Sequence, residues 1–103
     1  MDERSTAFLQ TLGRRLFDTR VAAGLTVRGA AQAIGVDHSM IVRYENAQAT
    51  PPLERLIALA HLYGTTPAAL LSHTDAAIPL IAAIEQADAA TLSRLVEALQ
   101  TTD

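Results

Sequence analysis

Apolar residues recur at three- and four-residue intervals along most of this chain, and the gaps between the runs fall on glycine, proline or capping residues. Phe8, Leu12, Leu16 and Ala23 predict a first helix over 8–23, closed by Gly24 as a left-handed cap. Thr26 is placed to cap a second helix over 27–34, and Gly35 stops it, because a glycine accepts the positive φ of a sharp interhelix turn. Asp37 is a good N-cap for a third helix over 38–45, with Asn46 able to close it in a left-handed conformation. A loop over 48–52 ends in two prolines. A fourth helix over 53–63 follows, with Leu56, Leu59, Ala60 and Tyr63 on one face and Gly64 as its stop. Thr66-Pro67 starts a short fifth helix that runs through Leu71.

Ser72–Ala77 is a polar break and marks the expected domain boundary. Beyond it, Leu80, Ile81 and Ile84 predict a helix over 79–87, and Leu92, Leu95, Val96 and Leu99 another over 89–100, capped by Asp88. The two could equally form one long helix, since 87–90 holds neither Gly nor Pro. No alternating strand pattern interrupts the series, so the expected class is all-α. The division is an N-terminal extension over 1–7, a five-helix domain over 8–72, and a C-terminal helical segment over 76–103.

At 103 residues, half of them apolar, the chain has material for one modest core. No apolar run reaches the roughly 20 residues needed to cross a bilayer, and the opening MDERSTAF lacks a signal core. Without cysteine, disulfides and thiolate chemistry are excluded, and a reducing cytoplasm is the expected setting. The net charge of −3 hides an asymmetry: residues 1–52 carry six arginines against five carboxylates, residues 53–103 two against six. Local positive potential in the first half can attract a phosphate backbone even on an acidic protein.

The segment 24–51 carries the most chemistry. Two short helices joined at Gly35 would present His38, Ser39 and Arg43 together, a geometry suited to placing a helix in the major groove of DNA. Residues 39 and 43 lie one turn apart, with Ile41 and Tyr44 turned elsewhere toward the core. Arg43 can grip guanine O6 and N7 with two parallel hydrogen bonds, and Val42 can touch a thymine methyl. The bland reading of Arg43 is a surface arginine paired with a carboxylate.

Residues 12–71 resemble the Cro/Xre-like helix-turn-helix family of phage and bacterial repressors, the lambda repressor-like fold. The landmarks are Leu12-Gly13, Arg20, Gly24-Leu25-Thr26, Ala30-Ala31, Gly35-Val36, Ile41, Arg43-Tyr44-Glu45, Pro51, Leu56, Leu59-Ala60, Tyr63-Gly64 and Leu70-Leu71. The resemblance implies a five-helix domain, with one or two further C-terminal helices, whose recognition helix is 38–45. It implies base contacts from His38, Ser39, Val42 and Arg43, and phosphate contacts from Thr26, Arg28, Asn46 and Gln48. Arg20 and Glu45 would form a structural ion pair between the first helix and the recognition helix. The chain departs from the family where many relatives have Gln (Val27), Gly (Ala47) and Ser or Thr (Pro52), which implies modest affinity, with Arg28 compensating for Val27.

Three fates are open to the apolar faces of the C-terminal segment: folding back, pairing with a second copy, or binding another protein. Pairing would make Leu80, Ile81, Ile84, Leu92, Leu95, Val96 and Leu99 a homodimer interface, in keeping with symmetric binding to a palindrome. The expected function is a dimeric, sequence-specific regulator of transcription, a repressor that binds double-stranded DNA in the cytoplasm at the nucleoid. The alternative is an antitoxin or anti-repressor whose C-terminal helices hold a partner protein, a toxin or regulator. Catalysis, cofactors and metals are not expected. Ser72-His73-Thr74-Asp75 has triad residue types, but neighbours in sequence cannot converge as a triad must. His61 and His73 lie apart without clustered ligands, and no glycine-rich phosphate loop is present.

Overall fold

A computed structural model of the chain describes residues 2–101. Met1, Thr102 and Asp103, the outer ends of the expected N- and C-terminal segments, lie outside the described residues. The fold is all-α. Its helices are α1 (Glu3–Ala22), α2 (Val27–Ile34), α3 (His38–Glu45), α4 (Leu53–Leu62), α5 (Pro67–Leu70), α6 (Ile78–Gln86) and α7 (Ala89–Gln100), with a 3-10 turn at Asp75–Ala77 before α6.

The core is built where α1, α2, α3 and α4 meet. Leu12, Leu16, Ala30, Ala31, Ile41, Tyr44, Leu56, Leu59, Ala60, Tyr63 and Leu70 form one buried cluster. The small Ala30 and Ala31 let α2 lie close to its neighbours, and the large Tyr44, Leu16 and Leu59 fill the space that remains. Helices α2 and α3 have eight residues each. That is too short to persist alone, so this packing is what keeps them helical.

Capping fixes where the short helices start. Thr26 Oγ1 accepts from Gly29 N at 2.9 Å, and Asp37 Oδ2 from Ser39 N at 3.0 Å. Gly35, at φ 74°, makes the turn between α2 and α3. Thr66 caps α5 through Ala69 N, with Pro67 at its first position. By contrast α4 starts at Pro52 with no side-chain cap.

Two local expectations are corrected. Residues 3–7, taken as an extension, are the first turns of α1. Asp2 Oδ1 accepts from Ser5 N at 2.8 Å and so caps a helix whose solvent-exposed opening carries no apolar stripe. Asn46 closes α3 without a left-handed conformation, at φ −94°; the positive φ falls one residue later, on Ala47 at 58°. Within the polar break at 72–77, Ser72 is buried and Asp75 opens the 3-10 turn. Of the two readings left open for the C-terminal segment, separate helices form: Ala87 is extended (ψ 151°), and Asp88 caps α7 through Thr91 N at 2.7 Å, as expected.

No residue of α6 or α7 is buried. The radius of gyration is 15.6 Å, against about 13 Å for a compact chain of this length. Helix α6 packs on α5 and the 3-10 turn, whereas α7 adds little to the packed body.

Candidate nucleic-acid interface

Helix α3 is held by its inner face. Ile41 and Tyr44 are 1% exposed, and the Tyr44 hydroxyl accepts from Arg55 Nη1 of α4 at 2.8 Å. Its C-terminal end lies hard against α1. A Cβ on Gly13 would come within 2.6 Å of the Glu45 carbonyl oxygen, so only glycine allows that approach.

An ion pair sits beside this contact. Arg20 Nε donates to Glu45 Oε2 at 2.7 Å and Nη2 to Glu45 Oε1 at 3.1 Å, while Nη1 donates to the Leu25 carbonyl at 2.9 Å. Both side chains are more than nine-tenths buried. The guanidinium also lies over the Phe17 ring, 5.3 Å from its centre. One arginine thus joins α1, the loop before α2 and the end of α3, and so sets the tilt of α3. Nearby, burial pushes the Tyr63 phenol up to about 12, with the Glu45 carboxylate adding to the effect, so the ring stays neutral.

The outer face of α3 carries His38, Ser39, Val42 and Arg43, all exposed. Among the described residues Arg43 has no carboxylate partner. The polar neighbour of its guanidinium is the Met40 sulfur at 3.9 Å, too weak a contact to hold it. The surface-pair reading of Arg43 therefore finds no support. Ser39 is less free than its position implied. Its hydroxyl donates to Asp37 Oδ2, so its lone pairs remain for a ligand while its proton is engaged. That bond, ahead of the one from the Ser39 backbone, holds the Asp37 carboxyl below the usual carboxylate range and keeps the cap charged. His38 Nδ1 is 3.8 Å from Asp37 Oδ1, which leaves Nε2 as the outward atom.

Thr26, Arg28, Asn46 and Gln48 are exposed on either side of α3, at the start of α2 and in the turn after α3. Thr26 Oγ1 is committed to its cap, and the Gln48 backbone N–H donates to the Arg43 carbonyl at 2.8 Å.

Sequence reasoning missed two structural residues. Gly13 was noted only as a landmark, although a glycine in mid-helix is itself a signal of close packing. Arg15 was counted only as charge, yet it is 4% exposed and bonds three groups of the 70–75 segment. Nothing in its neighbours along the sequence marks it as buried.

Among the described residues no group of three or more His, Asp or Glu side chains is arranged to hold a metal ion, and no helix is long and apolar enough to cross a membrane. A family model for a helix-turn-helix domain matches residues 11–73. No curated protein and no solved structure matches the chain.

Proposed function

From a chain that belongs to the helix-turn-helix domain family, of the Cro/Xre-like type, we propose a sequence-specific regulator of transcription that binds a palindromic operator as a homodimer and represses by occupying it. The observation that carries this reading is an α3 anchored by Ile41 and Tyr44 on one side and presenting an unpaired Arg43 on the other. In this reading His38, Ser39, Val42 and Arg43 contact base edges, with Arg43 directed at guanine. Thr26, Arg28, Asn46 and Gln48 meet the flanking phosphates, Thr26 through the backbone at the start of α2. Arg20 and Glu45 orient the helix and read nothing.

Residues 8–72 act as the DNA-binding unit and the segment from 76 onward as the dimerisation arm, through Leu80, Ile81, Ile84, Leu92, Leu95, Val96 and Leu99. Of these Ile81 and Leu92 are partly covered and the rest exposed, which supports a need for a partner surface. A two-fold dimer sets half-sites about 10 base pairs apart. The protein acts in the cytoplasm, at the nucleoid, without catalysis.

Selecting bound fragments from random duplexes yields the operator. On that operator Arg43→Ala is expected to weaken binding by about 1–3 kcal/mol and to relax preference at one base position. Unchanged affinity with unchanged preference removes Arg43 as a reader. The same exposed arm favours a second reading, in which it holds a partner protein such as a toxin; a monomer in light scattering that co-purifies with a second polypeptide would select it.

A further inference from the structure

The chain between the DNA-binding body and the arm is held at Leu70, Ser72, Thr74 and Asp75. Arg15 donates from Nη1 to the Leu70 carbonyl at 2.9 Å and to the Ser72 carbonyl at 2.7 Å. Its Nε and Nη2 lie 3.2 and 3.1 Å from Asp75 Oδ1. Arg14 Nη2 spans both Asp75 oxygens, 2.9 Å from each, and Asp18 steadies the same guanidinium at 3.3 Å. The Ser72 hydroxyl donates to the Thr74 carbonyl at 2.8 Å and accepts from Thr74 N at 3.3 Å. Asp75 then opens the 3-10 turn that leads into α6. Near the far end of α6, Glu85 Oε1 accepts from Thr66 Oγ1 at 2.6 Å, tying that helix to the start of α5. The arm is therefore fixed near both ends of α6.

A tether and a rigid arm behave differently on a two-part site. One added base pair moves a half-site by about 3.4 Å and turns it by about 35° around the duplex. A flexible linker absorbs that change, whereas a fixed arm loses simultaneous engagement of both halves.

We propose that Asp75, gripped by Arg14 and Arg15, is a positioning residue that fixes the angle between the helix-turn-helix body and the dimerising arm and thereby sets the half-site spacing the protein accepts. This rests on the DNA-binding dimer reading. Hydrogen bonds from Arg14 and then Arg15 hold the Asp75 carboxyl below its ordinary value.

The test uses the full chain and duplexes carrying the selected half-site twice, at the preferred spacing and one or two base pairs either side, with a single half-site as reference. The native protein is expected to favour one spacing by about tenfold or more. In Asp75→Asn that preference shrinks to about threefold or less, while single half-site affinity and dimer mass are unchanged, and Asp75→Glu restores most of it. Destabilisation alone would lower affinity equally at all spacings and on the single half-site, and that result overturns the proposal. So does full spacing discrimination in Asp75→Asn, or a native dimer indifferent to spacing. A native protein that is monomeric, or binds no duplex, overturns the underlying reading instead.

Discussion

The body and the arm of this protein solve the same problem in opposite ways. Helices α1 to α5 each bury side chains: α3 has eight residues and still sinks Ile41 and Tyr44 to 1% exposure. Helix α7 has twelve residues, a good N-cap in Asp88 and an apolar stripe, yet buries none of them, and Leu99 is 77% exposed. The body also exposes Phe17, Val21, Leu53 and Ile57, but on helices that have buried neighbours to hold them. Length and capping therefore do not separate the two regions; cover does. At about 25 cal/mol per Å² of apolar surface removed from water, an arm with no fully buried side chain gains far less of the free energy that maintains the body. The body is sustained by its own core, and the arm leaves most of its apolar face exposed.

The largest effect should come from Glu45→Ala. It strands the Arg20 guanidinium more than nine-tenths buried, with only the Leu25 carbonyl left as a hydrogen-bond partner. A loss of about 3–5 kcal/mol is expected, a large part of the roughly 5–15 kcal/mol that stabilises a domain of this size. Urea unfolding measures it. A loss under about 1 kcal/mol would mean that the pair is effectively solvated and that α3 is tilted by Gly13 packing alone.

The arm should respond in the opposite sense. Leu95→Asp with Leu99→Asp puts charge on two exposed apolar positions of α7, one turn apart. We expect dimer dissociation to rise at least about tenfold, near 1.4 kcal/mol, in sedimentation or light scattering. The unfolding free energy of the body, from urea titration of a monomeric sample, should change by less than about 0.5 kcal/mol, as for surface substitutions generally. A collapse of body stability in this variant would show that the arm is part of the core after all, and the contrast between the regions would fail.

The same contrast explains what was legible in the sequence. Core helices announce themselves because packing forces a period: Leu56, Leu59, Ala60 and Tyr63 mark α4 to within a residue, and Asp37 and Gly35 punctuate α3 at the observed positions. The first turns of α1 escaped because Glu3–Ala7 face water and carry no period; the Asp2–Ser5 cap and local helical bonds hold them. The shared face of Ser39 and Arg43 followed from helical geometry, whereas His38 and Val42 were expected there from the family resemblance; all four are exposed. The engagement of the Ser39 hydroxyl with Asp37 followed from neither, since it depends on a rotamer. Least legible was the Arg14–Arg15–Asp75 cluster, which joins residues some 60 positions apart. No local pattern encodes a charge–charge contact of that range.

The smallest effect is expected at Ala47, where the sequence departs from glycine and the backbone does not. Its φ of 58° lies in the left-handed region, which costs an L-residue about 1–2 kcal/mol. Glycine removes that cost but gains freedom in the unfolded chain, worth about 0.4–1 kcal/mol in the other direction. Ala47→Gly should therefore stabilise the body by about 0.5–1 kcal/mol, or about 2–8 °C in melting temperature. The gain should be the same in the Leu95→Asp, Leu99→Asp background, because the turn after α3 belongs to the body and not to the arm. A lower melting temperature would mean that the half-buried Ala47 methyl contributes more by packing than the turn loses by strain.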